Sequence, residues 1–147
     1  YAQTIRRLQK LSDGHRDIVL RSYVHTSNQH KGLLADQIEE LKKAKIAILD
    51  ILEKVENVFN QKQIVDYQNI IDLYRYLREL ADQFNEVQIE RIRDDSSKTR
   101  LSILYYAIMG NCLMLTKQNI KLLEIFNESF QLDEQLSNAY FEIDSEN

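Results

Sequence analysis

The residues whose types and spacing could do chemistry are three histidines, two sets of helix-spaced carboxylates and a single cysteine. His15, His25 and His30 all fall near the start of the chain. His15 and His25 stand nearly three helical turns apart, too far to share one metal ion unaided. A di-metal helical bundle places a glutamate three residues before each histidine. Here those positions hold Ser12, Ser22 and Ser27, and no HExxH occurs. Carboxylates one turn apart, as in Asp13/Asp17 and Glu86/Glu90/Asp94, can gather oxygens around a hard cation. The same spacing with Arg16, Arg21, Arg91 and Arg93 nearby describes salt-bridged solvent faces. Asp13, Asp17, Glu86, Glu90 and Asp94 are metal candidates by this spacing, set against that plainer reading.

Leu8, Leu11, His15, Ile18, Ser22, His25 and Gln29 follow 3-4 spacing, which predicts one inward helical seam. It is a polar seam, since His15, Ser22, His25 and Gln29 stand where a simple bundle carries leucine. Asn111, Gln118 and Asn119 offer complementary groups late in the chain. Buried polar groups need partners, so two facing polar stretches predict a hydrogen-bonded or hydrated layer. Such a layer either specifies helix register or holds a small ligand or ion.

The elements that must position these residues are long helices. A chain of 147 residues with no proline and three glycines has few helix breakers. The apolar pattern predicts an all-α, up-down antiparallel bundle of about four helices. The first runs from Tyr1 to about His30, ended by Lys31-Gly32. The second runs from Ala35 to about Asn60, with Ile38, Leu41, Ile48, Leu52, Val55 and Phe59 inward. The third runs from about Ile64 to Asp94, with Ile70, Leu73, Leu77, Leu80, Phe84 and Val87 at heptad spacing. The fourth runs from about Ser97 to Phe130, with Leu101, Leu104, Ile108, Leu115, Leu122 and Ile125 inward. Residues 1–130 form one domain in this reading. An acidic tail follows, 131–147, mobile or docked through Tyr140 and Phe141.

Cys112 has no cysteine partner, which points to a reducing compartment. Residues 101–116 are free of charge but too short for a bilayer span. Residues 1–31 carry six Lys/Arg and two Asp/Glu, a net +4, which leaves −8 on the rest of a chain of formal charge −4. A basic first helix faces either anionic lipid headgroups or acidic neighbours. With a pI near 5.4 and no recognised motif, nucleic acid is not an expected partner. No glycine-rich phosphate loop, GxSxG or CxxC is present, so binding or regulation is expected rather than catalysis, with no cofactor.

Two stretches carry a family resemblance. IRRLQKLSDGHRDIVLRSYVHTSNQHKGLL, Ile5 to Leu34, and QIERIRDDSSKTRLSILYYAIMGNCLMLTKQNIKLLEIF, Gln88 to Phe126, resemble the cytoplasmic C-terminal, PhoU-like region of bacterial inorganic phosphate transporters of the Bacteroidetes type. The transporter class is either the PiT-type permease or the sodium–phosphate cotransporter. The resemblance implies a non-enzymatic helical domain on the cytosolic face of the inner membrane. That domain regulates or assembles a transporter whose membrane part belongs to the same polypeptide. The start at Tyr1 rather than methionine agrees with a piece of a longer chain. PhoU proteins bind metals through E/D-x-x-x-D motifs, and Asp13/Asp17 and Glu90/Asp94 match these without the family's denser repetition. The alternative reading is a stand-alone helical interaction module, a homodimer or an adaptor.

Overall fold

The computed structural model describes residues 1–62 and 67–130 and consists of four helices: α1 (Ala2–Ser27), α2 (Ala35–Gln61), α3 (Tyr67–Arg93) and α4 (Thr99–Phe130). The protein is an all-α, antiparallel four-helix bundle. The expected beginning of the third helix at Ile64 and the acidic tail at 131–147 lie outside the described residues. Helix ends differ from expectation in one instructive place. α1 stops at Ser27 rather than near His30, and Gly32 does not form the stop. Gln29 takes the left-handed conformation instead (φ 54°). The His25 ring, 2.7 Å from the Lys31 carbonyl through Nε2, ties that turn down. A side chain has replaced the glycine signal.

The packing is uneven. Among the described residues, α2, α3 and α4 pack on one another, whereas α1 packs on α4 alone. Side-chain pairs give the directions. Arg7 meets Gln118 and Asp17 meets Asn111, so α1 and α4 are antiparallel. Gln37 meets Gln88 at the start of α2 and the end of α3, whereas Phe59 meets Phe126 where α2 and α4 both end. α4 is thus the central helix, with the α2–α3 pair on one side and α1 on the other. This explains its apolar residues around most of the circumference: a helix packed on both sides must be apolar on both.

The core runs through Ile51, Ile70, Leu77, Tyr105, Ile120 and Leu123, each at most 1% exposed. Burying an aliphatic side chain of this size is worth about 1.5–3 kcal/mol. On α2 the buried stripe is Ala44, Ala47, Ile51, Val55 and Val58, rotated from the expected one. Ile38 is exposed, and Leu41, Ile48, Leu52 and Phe59 lie on the flank. The two alanines let α2 approach its neighbours closely, so the larger residues straddle the contact line. On α3, Val87 is exposed and Gln88 takes the inward position. No helix among the described residues is long and apolar enough to cross a membrane.

Candidate functional site

The expected polar seam of α1 does lie near α4, but one residue out of phase at two positions. The side turned to α4 holds Arg7, Leu11, Gly14, Ile18, Ser22 and His25. Leu8, His15 and Gln29, assigned inward by spacing, are exposed, and the His15 ring turns back to the Leu11 carbonyl (Nδ1, 2.7 Å). Gly14 is the cause. A Cβ built on it would stand 2.5 Å from Met114 Cε and 2.9 Å from Leu115 Cδ2, so α4 side chains occupy the space a side chain would need. The helices meet at the glycine, which turns the neighbouring histidine outward.

Two hydrogen bonds cross this seam. Arg7 Nη1 donates to Gln118 Oε1 at 2.9 Å, and Asn111 Nδ2 donates to Asp17 Oδ2 at 2.8 Å. Arg21 Nε also donates to Asp17 Oδ2, at 2.7 Å. Arg21 first and Asn111 next hold the Asp17 carboxyl below the usual carboxylate value. Asn119 spends its amide on the Leu115 carbonyl of its own helix, and Ser22 is half-buried. Polar residues of the seam therefore pair singly between helices and do not converge on one point.

The carboxylate candidates are likewise dispersed. Asp13 lies 3.9 Å from Arg16 on an exposed surface, Glu90 is bonded to Arg93 at 2.6 Å, and Asp94 is exposed. Among the described residues no three His, Cys, Asp or Glu gather in a way that could hold a metal ion. Burial raises the pKa of the half-buried Cys112 thiol, which keeps it a poor nucleophile.

A different cluster, not read from the sequence, forms a dense polar constellation among the described residues. It joins the start of α2, the end of α3 and the start of α4. Arg91 forks onto Glu40, with Nη1–Oε2 at 3.0 Å and Nη2–Oε1 at 2.5 Å, and both side chains are 11% exposed. Tyr105 donates to Glu40 Oε2 at 2.7 Å. Gln37 donates to Gln88 Oε1 at 2.8 Å, and Gln88 donates to Ser97 and Ser102, each at 3.0 Å. Burial, and then the bond to Glu40, raise the Tyr105 pKa well above that of an ordinary phenol. Glu40 also raises that of Arg91. Each partner has a mate, as a buried network requires. With side chains filling it, this layer works as a clamp across three helices. The available signal was Gln37, Glu40, Gln88 and Arg91 falling on the inward stripes of two neighbouring helices.

Among the described residues, α1 also exposes an apolar stripe. Tyr1, Ile5, Leu8, Val19 and Tyr23 recur at near-heptad spacing on the side away from α4, interrupted by Ser12 and His15, and all five are exposed. Leu20 and Val24 extend the apolar surface around the helix. Against known protein families, curated proteins and solved structures, this chain finds no match.

Proposed function

We propose that this chain is a regulatory or assembly domain of an inorganic phosphate transporter, a binding unit rather than a catalytic one, docked through the outward stripe of α1. The observation that carries the docking is that stripe. Tyr1, Ile5, Leu8, Val19 and Tyr23 form a second, exposed seam on a helix that packs on α4 through its other side. Apolar residues at this spacing are what a further helix packs against. The transporter as partner comes from the resemblance of Ile5–Leu34 and Gln88–Phe126. A basic α1 also suits the cytosolic side of a bacterial inner membrane, where anionic lipid attracts Lys and Arg.

Two experiments test this. The coding sequence upstream of Tyr1 must encode membrane-spanning helices; their absence rules the transporter reading out. Removing this domain from the full gene product must then change phosphate uptake or its dependence on external phosphate, whereas unchanged uptake contradicts a regulatory role.

The same stripe favours a second reading, a stand-alone module that pairs two copies of α1. Sedimentation separates the two. A dimer converted to a monomer by Leu8→Lys with Val19→Lys supports self-pairing. A concentration-independent monomer excludes it.

A further inference from the structure

We infer that a cleft between the C-terminal end of α1 and the start of α4 binds a single-chain amphiphilic oxyanion, its hydrocarbon on the apolar walls and its head on Arg100. The inference is independent of the transporter reading. The cleft measures about 330 Å³, and its walls are Leu20 and Val24 of α1 with Ile103 and Leu104 of α4. Three of these are large apolar side chains more than half exposed, at 51%, 53% and 55% for Leu20, Val24 and Ile103. Their convergence in one concavity differs from the scattered exposure of single hydrophobes. The volume falls at the lower end of the ~300–1,000 Å³ range of small-molecule sites.

The rim supplies charge. Arg100 and His30 stand over the larger cleft and also line a second one beside it, where Lys31 and Lys98 join them. No carboxylate lines either cleft. Two of the rim cations are already paired: Arg21 with Asp17 and Lys98 with Asp95, both at 2.7 Å. Arg100 is not. Its Nη1 lies 3.2 Å from His30 Nε2, and it has no carboxylate partner among the described residues. A guanidinium is always a charged donor, so resting on an imidazole leaves its attraction for an anion uncompensated. Behind it, His25 is fixed by its bond to the Lys31 carbonyl and sits edge-to-face with His30 at 5.2 Å, which holds the rim in place. Apolar walls select a hydrocarbon chain, and an unpaired fork at the mouth selects a carboxylate or phosphate head.

Calorimetric titration of the protein as it stands tests this, with decyl phosphate, decanoate, decanol and inorganic phosphate as probes below their aggregation limits. One anionic amphiphile per chain is expected to bind. Arg100→Gln should weaken it about tenfold, the loss of one charge-assisted contact. Val24→Asp should abolish binding by placing a carboxylate in the cleft, while Arg6→Gln, exposed at the opposite end of α1, should leave it unchanged. Preference for decyl phosphate names a phosphate-headed lipid as the natural source, and preference for decanoate names a fatty acid. Circular dichroism identical to wild type secures the variants as folded, and all three replaced side chains are exposed. The inference is overturned if decanol binds as well as the anions, if inorganic phosphate binds as well as decyl phosphate, or if Arg100→Gln has no effect. It is also overturned if no probe binds, or if sedimentation shows the cleft closed by a second copy of the chain.

Discussion

Arg91 and Glu40 are where single residues matter most to this fold. Their forked bond is nearly out of water, so removing one partner leaves a buried charge unpaired. Arg91→Ala is expected to cost about 3 kcal/mol in urea unfolding. Replacing both with well-packed apolar residues should cost less than the sum of the single changes, a coupling that a double-mutant cycle measures directly. Tyr105 adds a pH dependence. Its folded pKa lies above the unfolded value near 10.0, so the folded state holds the phenolic proton more tightly. The stabilisation this provides is complete below pH 10 and declines as pH rises toward the folded value. Tyr105→Phe should therefore be less stable than wild type at neutral pH by about 1 kcal/mol, the net worth of one hydrogen bond. The difference should shrink above pH 10. A gap that is constant or widening with alkali contradicts the assignment.

At the scale of elements, α1 buries the least: only Gly14 and His25 of its residues are buried. Among the described residues its one helical neighbour is α4, and Gly14 sets how closely it approaches. Gly14→Ala pits a gain of about 1 kcal/mol in helix propensity against displacement of Met114 and Leu115. The methionine tip yields easily, so the net change should be small. Gly14→Leu cannot be absorbed in that way. Hydrogen exchange is expected to show α1 amides losing protection while α2, α3 and α4 keep theirs. Equal loss in all four helices would mean that the bundle opens as one unit.

The same contrast decides what was legible in the sequence. Four helices and their order follow from apolar periodicity and the lack of proline, because both act locally. Rotation about each axis does not. Ala44 and Ala47 carry little hydrophobic signal yet form the contact line of α2, so the larger residues beside them drew the expected stripe off centre. Gly14 misled in the same way: having no side chain, it gave no seam signal, and His15 stood in for it. The clamp of Gln37, Glu40, Gln88 and Arg91 was hidden because a polar residue on a buried stripe has meaning only once its mate on the next helix is known.

At the scale of the whole molecule, a three-helix core clamped by a polar layer carries an outer helix with two seams. One, largely polar, packs on α4, and the other is apolar and exposed among the described residues. On the proposed function, the partner of the exposed seam is the membrane part of a phosphate transporter. The most direct test is photo-crosslinking in cells from a reactive residue placed at Leu8 or Val19 in the full gene product, with exposed Ile46 on α2 as the reference position. The predicted result is a specific adduct from Leu8 and Val19 that contains transporter peptides and is absent from Ile46. Adducts no stronger from α1 than from Ile46, or found only with unrelated proteins, would contradict docking through α1.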